Sequence, residues 1–213
     1  GLGMKIGSYD EAQRKMVKGK KGELVCLNSF PSMPIRFRND PDGEVYQQTY
    51  FGENMSMWKH GDYIEETKNR GFVIHGRSDS TLNPGGVRIG TAEIYRQVEG
   101  FRNVEDCLAV GRKSGSGDVD VILFLKMKSE MEGDLIEDVK RRIREGLTPR
   151  HVPKYVYAVK DVPYTLSGKK VEVAVTRIMN GEKVDNLGAI SNPACLEEYQ
   201  ALSEKLSNIE NNI

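Results

Sequence analysis

The stretch PYTLSGKK, Pro163 to Lys170, sets an ammonium group directly behind a Ser-Gly pair and ahead of a helical pattern. A glycine there lets the backbone turn sharply. Lysine is common on surfaces, and one that follows Ser-Gly is by itself almost no evidence of chemistry, so its meaning has to come from what else the chain supplies. Upstream, LNPGGVRIGTAEI places adjacent Gly85 and Gly86 just before Arg88. Two missing Cβ atoms suit either a tight hairpin turn or the close approach of another molecule to the backbone. Arg77 and Arg88 carry planar forks that fit phosphate or ribose oxygens, and they read equally well as solvated charges. Asp62, in GDYIEE, fits Gly-Asp turn chemistry, and a carboxylate can also hold a ribose diol. Arg144 falls in the last turn of a helical pattern, where it favours the helix dipole with or without an anionic ligand. Glu65 and Glu66 show no pattern that would separate their pKa values into an acid and a base. The run RRIR reads as a helix face rather than a nucleic-acid reader.

The elements that must position these groups follow from periodicity. GELVCL is a short β-prone run, and FPSMPIRFRNDPDGE is Pro-rich and irregular. HGDYIEE and GFVIHGR alternate apolar and polar residues around a Lys-Asn-Arg-Gly turn, which predicts a hairpin. No compact core is legible before Arg77. From Ser78 the texture changes. TAEIYRQVEG reads as a helix with Thr91 as its N-cap, VEDCLAVGRK and DVDVILFLKM as strands joined by SGSGD, and YVYAVKDV as a further strand. Leu135, Ile136, Val139, Ile143 and Leu147 fall on one helical face. Val171, Ala174, Val175 and Ile178 recur at helical spacing despite their β-branching. The fold class expected is α+β, with a small α+β module over 78–181 and a tail over 182–213 that holds a terminal helix without a nameable partner.

Composition narrows the function classes. Among 213 residues, 31 Lys plus Arg balance 31 Asp plus Glu, so no bulk field recommends a nucleic acid or an anionic membrane. Any anion must be met locally. No apolar run approaches the roughly 20 residues that span a bilayer. Cys26, Cys107 and Cys195 are odd in number and widely spaced, as in a reducing, cytosolic protein. The three histidines are scattered, and no metal-type spacing is visible.

Taken in order, HGDYIEE, GRSDSTLNPGGVRIGTAEIY and PYTLSGKK resemble the last motifs of the adenylate-forming enzymes, the superfamily of acyl-CoA synthetases, peptide-synthetase adenylation domains and luciferases. The wider chain, including WKHGDYIE and the late SNP segment, is similar to the acid–CoA ligase branch, with acetoacetate the implied acid. The resemblance implies a C-terminal portion of such an enzyme. Residues 1–77 would be the β-rich end of its large domain, Asp79 a hinge, and 78–181 the small C-terminal domain. ATP, CoA and Mg2+ are the implied cofactors, with the metal, the acyl pocket and most of the ATP site expected in sequence ahead of Gly1. The same matching implies Lys169 as the catalytic lysine, Asp62, Arg77 and Arg88 as ATP contacts, and Gly86 and Arg144 on the CoA side. Two departures stand out: Gly85 replaces a CoA-side serine of the LNVSG type, and Lys170 follows the lysine directly. Alternative readings are a ligase for another short-chain acid, an inactive CoA- or nucleotide-binding interaction module, and a phosphate- or nucleic-acid-binding domain built on the basic helix.

Overall fold

The computed structural model describes residues 3–52, 56–78, 82–115, 117–129, 133–184 and 187–210. The chain forms two compact units, Gly1–Asp79 and Ser80–Ile213.

The first unit is a sheet of five antiparallel strands in the order β2-β1-β3-β4-β5. Its strands are β1 (Ile6–Asp10), β2 (Lys15–Val17), β3 (Lys21–Cys26), β4 (Trp58–Glu66) and β5 (Phe72–Arg77). The GELVCL run is β3, and the predicted hairpin is β4 and β5, closed by a turn in which Thr67 N donates to Gly71 O at 2.8 Å. Gly22 is required where β3 crosses β1, because a Cβ there would lie 2.6 Å from Ser8 Oγ and 2.7 Å from Tyr9 O. Against expectation, this unit has a core of its own. Leu24, Cys26, Trp58 and Ile64 are buried together. The Pro-rich segment ends in a helix, α1 (Glu44–Tyr50), that no periodicity signalled. Buried Asp40 receives the N–H groups of Val45 and Tyr46 at 3.1 and 2.8 Å and so satisfies two donors of its first turn. Tyr50 of α1 then stacks on Trp58 with ring centroids 3.6 Å apart.

The second unit is a three-layer arrangement around a mixed sheet, β6-β7-β8. Strands β6 (Val104–Lys113) and β7 (Val119–Met127) are antiparallel, and β8 (Tyr155–Val159) lies parallel to β7. A parallel neighbour demands a crossover, here supplied by α3 (Leu135–Gly146). Successive residues of β7 serve opposite faces. Val121, Leu123 and Leu125 pack with Ile94 and Val98 of α2 (Thr91–Val98) and with Val139 and Ile143 of α3. Ile122 and Phe124 pack with Val175 and Met179 of α4 (Glu172–Met179) and with Tyr199 and Leu206 of α5 (Leu196–Glu210). A strand covered on both faces reads as an unbroken apolar run, which is the VILFL of β7.

Helix α2 departs from its expected start. Thr91 is its first helical residue, Gly90 occupies the N-cap, and no side chain caps it. The terminal helix, which the sequence left without a partner, packs into the same core as α4. Buried Arg112 ties them together, donating from Nε to Met179 O at 3.1 Å and from Nη2 to Ser207 Oγ at 3.1 Å.

Candidate functional site

The lysine loop is a tight reversal. Tyr164 and Lys170 face each other as an antiparallel bridge. Between them Thr165 N donates to Lys169 O at 2.8 Å, and Gly168 N donates to Thr165 O at 2.9 Å. Gly168 adopts φ 78°, the left-handed region that glycine enters freely. Lys169 is exposed, and among the described residues none pairs with its ammonium. Its neighbour turns the other way. Lys170 Nζ donates to Asp106 Oδ1 at 2.6 Å and to Cys107 O at 2.7 Å, and sits 4.3 Å from the centre of the Tyr95 ring. Of the two adjacent lysines, then, Lys169 faces outward and Lys170 is an internal anchor.

Asp106 collects three donors: Lys170 Nζ, the Tyr164 hydroxyl, and Cys107 N at 2.7 Å. Burial pushes the Asp106 carboxyl up, but the hydrogen bonds from Lys170 and Tyr164 and the Lys170 charge outweigh it and leave the pKa lowered. Burial and the Asp106 carboxylate push the Tyr164 hydroxyl up. Behind this group the Tyr95 hydroxyl donates to Glu172 at the start of α4. Neither Asp106 nor Tyr95 was singled out in the sequence, since they join the loop only across long separations.

The tail also braces the loop. Leu166 N donates to Ala189 O at 3.1 Å, and Ser191 N to Tyr164 O at 2.8 Å. Asn192 accepts from Tyr164 N at 3.0 Å and donates to Asp161 Oδ2 at 2.6 Å and Val162 O at 2.9 Å. The SNP segment is thus the outer wall of the lysine loop.

The glycine-rich stretch is a short 3₁₀ turn, Pro84–Gly86, held between Leu82 and Ile89, which pair as an antiparallel bridge. Both glycines have positive φ, 57° at Gly85 and 75° at Gly86. Around Gly86 there is open space, and a Cβ would meet nothing within 4 Å. Gly85 is crowded: a Cβ there would lie 1.8 Å from Arg150 Nη1. That guanidinium donates to Pro84 O at 3.2 Å and Gly85 O at 3.0 Å, while Gly85 N donates to Asp118 Oδ1 at 2.6 Å. Hydrogen bonds from Gly85 and Val119 hold the exposed Asp118 carboxyl below its usual range. Arg88 is exposed just beyond the turn, and Arg144 is exposed in the last turn of α3. Arg150 lies in the 3₁₀ turn Pro149–His151 that comes after α3, and it too was not singled out in the sequence.

The two loops are attached to opposite ends of one sheet. The lysine loop hangs from Asp106, paired with Lys126, whereas the glycine turn rests on Asp118, beside the Lys113 and Val119 pair. Asp106 and Lys113 are seven positions apart along β6, about 23 Å at ~3.3 Å per residue.

In the first unit Asp62 is a strand residue of β4, not the turn residue that Gly-Asp suggested. It lies opposite Arg77 of β5, with Nη1 3.9 Å from Oδ1, and His60 Nδ1 lies 2.6 Å from its other oxygen. Gly61 lets Arg77 come close, since a Cβ at its φ of 85° would meet Arg77 Nη2 at 3.3 Å. Asp79, the expected hinge, lies outside the described residues. Among the described residues no cluster of three His, Cys, Asp or Glu could hold a metal ion, and no helix is long and apolar enough to cross a membrane.

No family model matches the chain. It is 48% identical over 206 residues to the acetoacetyl-coenzyme A synthetase of Rhizobium meliloti, covering 96% of this chain and 31% of that protein. It is equally 48% identical over 206 residues to the acetoacetyl-CoA synthetase of Xenopus tropicalis, covering 95% of this chain and 30% of that protein. Among solved structures, acetoacetyl-CoA synthetase from Streptomyces lividans matches with a TM-score of 0.85 at 40% identity, over 96% of this chain and 31% of that one. An amide bond synthetase from Marinactinospora thermotolerans shares the fold, with a TM-score of 0.70 at 17% identity over 84% of this chain. The chain spans about 30% of the length of the curated relatives it matches.

Proposed function

From the premise that this chain is homologous over nearly its whole length to acetoacetyl-CoA synthetases, we propose that it is the C-terminal portion of an ATP-dependent acetoacetate–CoA ligase. In the first half-reaction a carboxylate oxygen of acetoacetate attacks the α-phosphorus of ATP, and the bond to the pyrophosphate oxygen breaks. In the second, the CoA sulfur attacks the acyl carbon of the adenylate, the bond to the AMP oxygen breaks, and the thiol proton is lost. Negative charge concentrates at the reacting phosphate in the first step, where a positioned cation lowers the barrier.

Lys169 is the group for that role, donating to the acyl carboxylate and the α-phosphate together. The observation that carries this reading is the outward ammonium of Lys169, which pairs with none of the described residues, beside the internally bound Lys170. Asp62 and Arg77, paired across one hairpin, would hold the ribose hydroxyls and phosphate oxygens of the nucleotide, with Arg88 on its phosphates. Gly86, surrounded by open space, would admit the pantetheine arm, and Arg144 would meet a CoA phosphate. Because the lysine loop and the glycine turn are anchored at opposite ends of the β6–β7 pair, they would be presented in turn. Rotation about Asp79 between the half-reactions would supply that exchange. An ATP-bound Mg2+ would neutralise phosphate charge, with ligands outside the described residues. The compartment that fits this chemistry and the three free thiols is the cytosol.

The test is product stoichiometry in the full-length protein that carries this chain. AMP release that requires both acetoacetate and CoA, one AMP per thioester formed, is the expected outcome. AMP release driven equally by acetate would assign another short-chain acid, and no acid-dependent release would remove the ligase reading.

A further inference from the structure

We infer that Asp106 is the positioning residue of the lysine loop: one carboxylate holds the residues on both sides of it, Tyr164 at its entry and Lys170 at its exit, and so sets the direction in which Lys169 is presented. This rests on the reading of Lys169 as the group that meets the reacting phosphate.

Where Lys170 pairs with Tyr164 in a bridge, adjacent side chains point to opposite sides. Holding Lys170 inward therefore turns Lys169 outward. The inward hold is specific. Lys170 Nζ reaches Asp106 Oδ1 at 2.6 Å and Cys107 O at 2.7 Å, and the face of Tyr95 at 4.3 Å. The second oxygen of Asp106 receives the Tyr164 hydroxyl. One rigid strand thereby fixes both feet of the reversal. Asp106 itself stands at a register shift between β6 and β7, the kind of irregularity that re-aims a side chain. The Asp106 carboxylate also neutralises the Lys170 charge, so the cation the loop offers to a ligand is that of Lys169.

Two arms test this. In the full-length protein, Asp106→Asn and Lys170→Met are each compared with the unsubstituted protein in both half-reactions. ATP–pyrophosphate exchange should fall on the order of 100-fold, the cost of displacing a catalytic group by about an ångström. Thioester formation from supplied acetoacetyl-adenylate should be unchanged, because Lys169 does not serve that step. Equal losses in both half-reactions, or undiminished exchange in both variants, would overturn the inference. The second arm uses this chain as it stands, with acetic anhydride and peptide mapping. Lys169 should be acetylated ahead of Lys170, and Asp106→Asn should remove the protection of Lys170. If the unsubstituted enzyme shows no exchange, the ligase reading fails and the mapping decides the anchor: lost protection in Asp106→Asn supports it, and retained protection overturns it.

Discussion

The Arg150 guanidinium occupies the space that a side chain at Gly85 would need, with Nη1 1.8 Å from the position of the absent Cβ. Replacing Gly85 by serine therefore sets two costs against the protein: a left-handed φ of 57° and eviction of a cation that holds two carbonyls of the turn. Gly85→Ser should destabilise the second unit by about 1–3 kcal/mol, measured by urea unfolding. The double variant Gly85→Ser with Arg150→Ala should recover part of that loss. Strictly additive losses would show that Arg150 does not fill the Gly85 site.

Acid should loosen the base of the lysine loop. The Asp106 carboxyl has a folded pKa below its ordinary 3.8. Its contribution to stability is thus fully present above about pH 4 and is lost as pH falls through the lower folded value. Asp106→Asn abolishes that dependence, so the stability gap between the two proteins should narrow as pH drops below 4. A gap constant from pH 7 to pH 2 would contradict the pairing.

The thiols should be inert in the native protein. Burial pushes Cys107 up to about 12 and Cys195 up to about 11, so both stay protonated at pH 8, and the thiolate is the reactive form. Native protein at pH 8 should leave Cys107 unmodified by iodoacetamide over hours, while protein in denaturant should react at all three cysteines. Because unfolded thiols ionise near 9, this burial stabilises fully below pH 9 and its contribution fades as pH rises towards 12. Rapid native labelling of Cys107 would contradict the buried placement.

The tail should matter to the loop it walls. Asn192→Ala removes three hydrogen bonds that join Tyr164, Asp161 and Val162. A loss of about 1–3 kcal/mol and faster amide exchange at Tyr164 and Leu166 are expected. Faster global unfolding without a selective change at the loop would assign Asn192 to general stability alone.

What was legible in the sequence was what local pattern encodes. Helical spacing found α3 and α4, alternation found the β4 and β5 hairpin, and the unbroken apolar run of β7 was placed as a strand. The lysine and glycine loops were visible because glycine and its neighbours write turns into short stretches. The hidden features depend on partners far along the chain. Asp106 meets Tyr164 across 58 residues, and Arg150 meets Gly85 across 65. Asp40 caps α1 from a Pro-rich stretch with no helical period, and Asp62 sits in a strand because β3 and β5 flank it. Thr91 looked like an N-cap, yet with Gly90 in extended conformation ahead of it the helix begins one residue sooner.

The central claim is that Lys169, and not Lys170, serves nucleotide transfer. The most direct measurement is acetoacetate-dependent ATP–pyrophosphate exchange in the full-length protein carrying this chain, with Lys169→Ala beside it. Exchange should fall by orders of magnitude in the variant, while thioester formation from supplied acetoacetyl-adenylate continues. Exchange that survives Lys169→Ala would contradict the claim.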